Sequence, residues 1–491
     1  MKQPKIKILD QEDIQQIIEA AYDLLENFGV KVDNQEVLQT LANGGAKVDF
    51  EQKVAFISPS MVDKALKTVP SSFNVYDQAC KNAAVLEGDN IHFCGGSVAL
   101  NILDSDTEKI RKPKLSDLIR ITSLIETLEH LSFVTGTIMP NDIPAPLQDA
   151  YRYYLLMLNT SKPLFSGAFT VGGLRVQIEM LKVLRGGEDK LRTKPRAIFA
   201  ANPTAPLQWG GIVAQNLVDS ARANIPVMLI PMPLPGGNAP VTLAGALTEH
   251  TAENLSGIVI TQLVNPGTPV LYGGGAIVLE MRYGTSCIGA IESHLMGIGY
   301  SQIGKALGLP TASNIGQSDS KRVDAQAGLE SGIGILLAAL AGINLSRGPG
   351  MLAFANCQSF EKLVIDNNIC GMALRLIRGV ECNKETIGLD IIKAAGRGAK
   401  DYLFSPHTLK WFKKELFFPT KIIDRRAIQT GAKFSTAWER AKEEVKARLA
   451  EYEPAHLPDD KAQEIKAIMH AYARSKGVEK LPDITGTGWD G

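Results

Sequence analysis

The sequence predicts an α/β protein, specifically a TIM (β/α)8 barrel with N-terminal and C-terminal helical extensions. Between about residues 132 and 379, short apolar runs are followed by loops rich in glycine, proline and asparagine and then by helical stretches. A Rossmann-type sheet would need a G-x-G-x-x-G turn after its first strand, and none is found there. Seven strands are predicted, and they are Phe133–Ile138, Pro163–Phe169, Arg196–Ala201, Pro226–Met232, Pro269–Gly274, Leu309–Ile315 and Gly342–Gly348.

Helical periodicity between these runs predicts the helices that alternate with them. They are Leu174–Leu184, Gln215–Ala223, Ala252–Val264, Ala290–Leu307 and Ala325–Leu340. The eighth strand is left open between Met351–Ala355 and Ile91–Gly95. The chain thus divides into an N-terminal mixed extension packing on the barrel (1–131), the barrel (132–386) and a C-terminal helical extension (387–491).

Each extension contains recognisable helices. In the first, Ile14–Phe28 has apolar residues at helical spacing, with Asp10 or Asp13 as the N-cap and Gly29 as the stop. The second is rich in charged residues and predicts helices at Ser435–Tyr452 and Asp460–Ser475, followed by a loose tail from Ile484 to Gly491.

Composition excludes several function classes. Lys plus Arg equals Asp plus Glu at 52 each, so the basic excess typical of nucleic-acid or membrane-surface binding is absent. The N-terminus has no apolar signal-peptide core, and a cytoplasmic location is expected. Six cysteines and seven histidines show neither disulfide-framework nor zinc-ligand spacing, so no metal site is predicted.

The stretch Asn314–Glu330 has the strongest character of a site. Six consecutive polar or charged residues, Gln317–Arg322, follow a predicted strand and precede a predicted helix. In a parallel α/β protein ligands bind at this end of the strands. Other loops on the same rim, such as Asn202–Trp209 and Pro233–Thr242, are rich in glycine and proline, which favours a preformed mouth.

Several short motifs, in this order, resemble the trimethylamine methyltransferase family, in particular its members that lack pyrrolysine and act on quaternary amines. The motifs are Asn202-Pro203, Pro233-x-Pro235-Gly236-Gly237 with Ala239-Pro240-Val241-Thr242, Gly289-Ala290-x-Glu292, Ser318-Asp319-Ser320-Lys321 with Asp324-x-Gln326-Ala327-Gly328-x-Glu330, Gly342-Ile343-Asn344, and Phe360-Glu361-Lys362-Leu363-Val364-x-Asp366. The resemblance implies transfer of a methyl group from nitrogen to the Co(I) of a corrinoid that a separate small protein carries. No tightly bound cofactor is then expected.

The absence of pyrrolysine implies a quaternary substrate, such as glycine betaine, proline betaine, carnitine or γ-butyrobetaine. A quaternary ammonium leaves as a neutral amine without proton transfer, so no strong general acid is required. The expected partners are this small molecule and the cognate corrinoid protein, with a homo-oligomer possible and with neither nucleic acid nor membrane.

Aromatic faces and a guanidinium are the expected contacts for a betaine. Trp209 and Phe354 are the first candidates for the ammonium, and Tyr272, Phe169 and Tyr283 are others. Each of these aromatics could equally fill a gap in the core.

For the carboxylate, Arg322 is preferred to Arg282 and Arg347 because its neighbours look like a site. Asn202, Gln326 and His250 are assigned to substrate binding.

Two carboxyl groups, Asp319 and Glu249, are the candidate catalytic residues. Two alternatives stay open at this point. One is a binding protein of the same lineage without turnover. The other is an unrelated barrel lyase or aldolase that would use Lys321 as a Schiff-base lysine.

Overall fold

The computed structural model describes residues 3–96, 98–396, 402–428, 430–431 and 433–482. The tail predicted for residues 484–491 lies outside this range. Among the described residues, no helix combines the length and the apolar character that crossing a membrane requires.

The N-terminal region begins with a helix that continues as one π-helical turn, Leu24–Phe28. Asp10 caps the helix start through a capping box with Asp13, and Gly29 ends the turn at φ +82°, as predicted. Its elements are α1 (Gln11–Asp23), β1 (Val30–Val32), α2 (Gln35–Asn43), β2 (Lys47–Asp49), β3 (Val54–Phe56), α3 (Pro59–Leu66), β4 (Phe73–Tyr76) and β5 (Ala83–Leu86).

The central region alternates strands and helices. Its elements are β6 (His92–Phe93), β7 (Asn101–Leu103), β8 (Ile110–Arg111), α4 (Leu115–Glu126), β9 (Val134–Thr135), α5 (Gln148–Asn159), β10 (Leu164–Ser166), α6 (Gly173–Arg185), α7 (Glu188–Thr193), β11 (Ala197–Ala201), β12 (Gln208–Trp209), α8 (Gly211–Arg222), β13 (Val227–Leu229), α9 (Leu243–Val264), β14 (Val270–Tyr272), β15 (Val278–Glu280), β16 (Thr285–Cys287), α10 (Ile291–Ala306), β17 (Ala312–Ser313), α11 (Ala325–Leu340), β18 (Leu345–Ser346), β19 (Met351–Leu352), β20 (Cys357–Gln358) and α12 (Phe360–Ile377). A short 3-10 turn, Ala145–Leu147, precedes α5.

Eight parallel strands close into a barrel, which confirms the predicted fold class. β9, β10, β11, β13 and β14 pair in sequence, and β17, β18 and β6 form the other arc. Single parallel bridges, Tyr272 to Thr311 and Cys94 to Phe133, join the two arcs.

All seven predicted strands lie in the barrel, and the eighth comes from the Ile91–Gly95 candidate. The barrel therefore draws its first strand from the segment that the sequence analysis placed in the N-terminal extension. The other candidate, Met351–Ala355, is not a barrel strand, because Met351–Leu352 pairs antiparallel with Cys357–Gln358.

Each of the eight strands has at least one apolar residue, within it or directly beside it, that packs inside the barrel. These residues include Cys94, Phe133, Phe165, Ile198, Met228, Leu271, Ala312 and Leu345. The β4–β5 hairpin adds Val75 and Leu86 to the same cluster, and the amide of Tyr76 donates to the carbonyl of Pro195, just before β11 begins. The hairpin thus covers the N-terminal end of the barrel.

The C-terminal region contains α13 (Lys384–Ile387), α14 (Leu389–Ala395), α15 (Pro406–Glu415), α16 (Ala437–Ala450) and α17 (Asp459–Ser475). The last two match the predicted helices and bury residues against the barrel, including Val445 and Ile465. α13, α14 and α15 bury none.

Helix α9 is buried on nearly all sides because the N-terminal helices cover its outer face. It nevertheless carries two glutamates one turn apart. Glu253 is 1% exposed and its Oε1 accepts a hydrogen bond from the amide of Leu207 at 2.7 Å. Burial raises the pKa of Glu253 to about 8 and that of Glu249 to about 7.

We predict that Glu253→Gln reduces the loss of stability between pH 5 and 8. In an unfolded chain a glutamate has a pKa of about 4.3, whereas folded Glu253 holds its proton to about pH 8. The contribution of Glu253 to the free energy of unfolding is therefore fully present below the unfolded pKa. It declines by about 1.4 kcal/mol per pH unit as the pH rises toward the folded pKa. Glutamine keeps the oxygen that accepts from Leu207 and cannot ionise.

The measurement is the free energy of unfolding from denaturant titrations at several pH values. The exposed Glu19→Gln variant is the control and should follow the wild-type pH profile. An unchanged slope in Glu253→Gln would mean that Glu253 is ionised in the folded protein.

Candidate active site

A cavity of about 290 Å³ lies at the C-terminal end of the barrel, opposite the hairpin-covered end. Alternation along the strands explains its polar residues: Asn314 lies two residues beyond inward-facing Ala312, and Arg347 two residues beyond Leu345. The lining residues are Asn202, Ile230, Met232, Gly275, Ile277, Thr285, Ser286, Ile288, Asn314, Gln317, Arg347, Phe354 and Ala355.

Arg347 is a buried cation without a carboxylate partner among the described residues. It is 7% exposed, and its guanidinium carbon lies 4.0 Å from the centroid of the Phe165 ring. Nη1 contacts only the sulfur of Met228, at 3.7 Å, and Nε has no hydrogen-bond partner. Burial lowers the pKa of this guanidinium. A buried charge with free donors is unfavourable unless an anion binds to it.

Gln317 supports this site from beside Arg347. It is fully buried, and its Nε2 donates to the carbonyl of Arg347 at 3.3 Å while its Oε1 lacks a partner. Asn314 is already engaged, since its Oδ1 accepts from the amide of Ala276 at 2.7 Å. Among the described residues, no aspartate or glutamate lines the cavity, so its described lining has one full positive charge and no negative charge.

Phe354 lines the cavity from a strained loop between β19 and β20. Three consecutive non-glycine residues, Ala353, Phe354 and Ala355, have φ values of +49°, +60° and +62°. Such left-handed residues cost roughly 1–2 kcal/mol each and concentrate at functional sites. The ammonium of Lys321, which does not line the cavity, lies 4.2 Å from the Phe354 ring centroid.

The polar cluster after β17 forms the support behind the cavity wall. Asp319 accepts from the amides of Ile288 and Gly289, both at 3.0 Å, and Ile288 is a lining residue. Burial raises the pKa of Asp319. Glu330 accepts from the hydroxyl of Ser318 at 2.6 Å and from the amide of Asp319 at 2.8 Å. This network fixes the segment that leads into α10.

The structure places two of the predicted binding residues, Asn202 and Phe354, in the cavity wall. Gln326 instead donates to Glu330 at 2.9 Å and belongs to the supporting network. His250 is fully buried and stacks on Tyr300 with centroids 4.3 Å apart, and burial lowers its pKa to about 3. Glu249, one residue before it on α9, does not line the cavity either.

Three predicted contacts lie elsewhere. Trp209 is fully buried in β12, and its Nε1 donates to the hydroxyl of Ser256 at 2.9 Å, so it fills the core. Tyr272 faces outward because its neighbour Leu271 faces inward, and its hydroxyl donates to Thr251 at 2.9 Å. The Arg322 side chain is 72% exposed and pairs with Glu108 at 3.0 Å.

The remaining alternatives from the sequence are also outside the cavity. Phe169 and Tyr283 are exposed on the surface, and Arg282 pairs with Glu280 at 2.8 Å. From the sequence, Arg347 ranked below Arg322, Gln317 belonged to the site-like polar stretch without an assigned role, and Thr285 and Ser286 were not identified. Counting every second residue from the inward apolar position of β18 would have selected Arg347.

Among the described residues, no group of three or more His, Cys, Asp or Glu side chains is placed to hold a metal ion. The expectation that no cofactor binds tightly stays a prediction.

Among solved structures, the chain resembles the monomethylamine methyltransferase MtmB of Methanosarcina barkeri, with a TM-score of 0.52, 9% identity and coverage of 92% of this chain and 90% of that one. At this identity the likeness concerns the fold alone.

Two relatives in Desulfitobacterium hafniense match almost the whole chain. One, from strain DSM 10664 / DCB-2, is named trimethylamine methyltransferase MttB and is 31% identical over 475 residues, which cover 96% of this chain and 94% of that protein. The other, from strain Y51, is named glycine betaine methyltransferase and is 31% identical over 478 residues, covering 97% and 98%.

The family model described as trimethylamine methyltransferase (MTTB) matches residues 1–477. The match includes the whole barrel and every cavity residue. This agrees with the resemblance found in the motifs, and the chain therefore belongs to the trimethylamine methyltransferase family and is a methyltransferase.

Proposed function

We propose that this methyltransferase takes a methyl group from a quaternary amine that also carries a carboxylate, a betaine, and transfers it to the Co(I) of a corrinoid on a separate small protein. The observation that carries the proposal is Arg347, a buried guanidinium without a counterion in the cavity. A substrate carboxylate would supply the missing anion and accept from the free N–H donors.

The cavity also suits the other end of such a substrate. Phe354 offers ring surface, and the unpartnered Oε1 of Gln317 can accept weak C–H hydrogen bonds from ammonium methyl groups. A volume of about 290 Å³ is at the lower end of the roughly 300–1,000 Å³ typical of small-molecule pockets, which suits a small betaine. Glycine betaine, the substrate named for one relative, is therefore the first candidate.

Trimethylamine, the substrate named for the other relative, fits the cavity poorly. Its protonated form would place a second positive charge near Arg347, at a cost of about 3 kcal/mol for a separation of about 5 Å and an effective dielectric constant of about 20. The described residues of the cavity lining also provide no carboxylate to accept its N–H. A betaine avoids both problems, because its own anion neutralises Arg347 and its quaternary nitrogen carries no N–H.

The residues of this chain have positioning tasks in the reaction. Arg347 would fix the carboxylate, so the opposite methyl groups point toward the cavity opening. Ile230, Met232 and Ile277 line the walls and would limit water. The leaving amine is neutral, so no residue has to donate a proton, and neither Asp319 nor Glu249 is needed as an acid.

The corrinoid, when its protein is docked, supplies a strong nucleophile that accepts the methyl group. The C-terminal end of the barrel suits a protein-bound acceptor, because the loops that follow β13 and β14 carry exposed apolar side chains. They include Met232, Val241, Met281 and Tyr283, and the Sδ of Met281 lies beside Gly236. We also propose that the methyltransferase is located in the cytoplasm.

The alternatives from the sequence have weaker support. A Schiff-base lysine requires a buried, reactive amine, whereas Lys321 is exposed, with its Nζ donating to the carbonyl of Asp319 at 2.9 Å. A betaine-binding relative without turnover would show betaine binding but no loss of Co(I) absorbance when mixed with reduced corrinoid protein.

We predict that Arg347→Met weakens betaine binding about tenfold to more than a hundredfold, because it removes a charge-assisted pair worth roughly 1.5–3 kcal/mol. Removing an unpaired buried charge should not lower the free energy of unfolding. Calorimetric titration with glycine betaine measures the first effect, and denaturant unfolding the second.

The matched control is Arg322→Met, which removes an exposed guanidinium paired with Glu108. It should bind betaine within about threefold of wild type, since exposed pairs contribute little. Wild-type affinity in Arg347→Met would place the carboxylate elsewhere.

We predict that turnover requires a quaternary nitrogen and that affinity requires the carboxylate. In the Co(I) assay, glycine betaine should react, whereas its dimethylamino analogue and trimethylamine should be far slower. The rate with glycine betaine should vary little with substrate protonation between about pH 6 and 9, because the charge of the ammonium is fixed.

Tetramethylammonium separates the two requirements. It keeps the methyl donor but lacks the carboxylate, so it should bind wild type at least about tenfold more weakly than glycine betaine. Its affinity should not be lower in Arg347→Met than in wild type, because it has no carboxylate for Arg347 to bind. Turnover of trimethylamine comparable to that of glycine betaine would contradict the proposal.

A further inference from the structure

The connection from β18 to α12, residues 347–359, supplies two residues of the cavity wall. Arg347 lies at its start, and Phe354 lies further along, in the loop between β19 and β20. Gly350 lies between them at φ +88°, a left-handed conformation that favours glycine. A contact that holds Gly350 therefore helps to set where the guanidinium and the ring lie in the cavity.

Gly350 is held by a buried carboxylate on α12. Its amide donates to Oδ2 of Asp366 at 2.7 Å, and its carbonyl accepts from the amide of Ser359 at 3.2 Å. A Cβ atom at Gly350 would lie 2.6 Å from Cγ of Leu363, so α12 packs directly against this backbone. Asp366 is fully buried, and its Oδ1 has no hydrogen-bond partner among the described residues. Asp366 thus ties the connection to α12.

Lys362, one turn earlier on α12, supplies the positive charge beside Asp366. Its side chain is 1% exposed, and its Nζ lies 2.6 Å from Oδ2 of Asp366. The same ammonium donates to the hydroxyl of Ser331 on α11. Ser331 directly follows Glu330, which accepts from the amide of Asp319 at 2.8 Å. The pair therefore joins the connection after β18 to the polar cluster after β17.

An ion pair buried this completely adds little to stability, because removing two charges from water costs about as much as their attraction returns. Apolar residues of similar volume often replace such a pair without loss. What the pair holds in place explains it better than the free energy of unfolding does. Both residues belong to the motif Phe360–Asp366 that the sequence analysis singled out, and neither lines the cavity.

We infer that Lys362 and Asp366 are positioning residues for methyl transfer. By holding Gly350, they set where Arg347 and Phe354 meet the amine. This inference rests on the proposed function, in which those two side chains contact the substrate, but it does not depend on which amine is bound. A displacement of about 1 Å at an active site can lower a rate about a hundredfold, so a loosened Gly350 should impair both binding and turnover.

The test compares two double variants that both remove the ion pair. Lys362→Met/Asp366→Ala removes the oxygen that accepts from Gly350, whereas Lys362→Met/Asp366→Asn keeps an oxygen at that place. The amine is whichever of glycine betaine and trimethylamine the wild type demethylates faster in the Co(I) assay. By calorimetry and by this assay, the alanine variant should bind it at least about tenfold more weakly and react at least about tenfold more slowly. The asparagine variant should recover most of both losses.

The matched control is Arg448→Met/Glu444→Ala, which removes another i, i+4 ion pair, 2.7 Å long on α16, whose residues do not line the cavity. It should keep the amine affinity within about threefold of wild type, whatever its effect on the free energy of unfolding. A purely structural role for Asp366 would lower the active fraction and leave the affinity of the folded protein unchanged. Wild-type affinity in the alanine variant would therefore overturn the inference.

Hydrogen exchange near Gly350 provides a readout that does not depend on the substrate. Peptides that cover residues 348–355 should exchange at least about tenfold faster in the alanine variant than in the asparagine variant, while the barrel strands stay protected in both. Equal exchange in the two variants would overturn the inference. If the wild type demethylates neither amine while exchange responds as stated, the proposed substrate is wrong and the hold of Asp366 on Gly350 is supported.

Discussion

The alternation of side chains along eight short parallel strands is the constraint on which the rest of the structure depends. Apolar residues from all eight strands fill the barrel, and the β4–β5 hairpin covers its N-terminal end. The next inward position on a strand must therefore face the opposite end, where the loops form a mouth. Asn314 and Arg347 reach the cavity for this reason, and Tyr272 is excluded from it for the same reason.

Electrostatics then decides what the mouth can bind. Arg347 is held by packing against Phe165 and by a sulfur contact, neither of which neutralises it. The nearby carboxylates of Asp319 and Glu330 are instead engaged by backbone amides and by Ser318 behind the wall. The cavity is thus positive, whereas a simple cation-binding site would be negative or aromatic throughout. A zwitterion reconciles this charge with membership of an amine methyltransferase family.

The fold could be predicted further than the site. Apolar runs and helical periodicity located seven barrel strands and five of the helices that follow them, namely α6, α8, α9, α10 and α11, because both signals depend on local sequence. The first strand was harder, since His92–Phe93 has two residues and pairs with Leu345–Ser346, far along the chain. Arg322 was favoured for its polar neighbours, but these neighbours bond to one another, and only the register of β18 distinguishes Arg347 as inward-facing.

The central claim is that Arg347 binds the carboxylate of a betaine in the barrel mouth. A crystal structure of the full-length protein with glycine betaine tests it most directly. The account predicts the carboxylate within hydrogen-bonding distance of the Arg347 guanidinium, about 2.7–3.0 Å, with the ammonium near Phe354 and a methyl group toward the opening. A carboxylate bound at Arg322, or an ammonium next to Arg347, would contradict it.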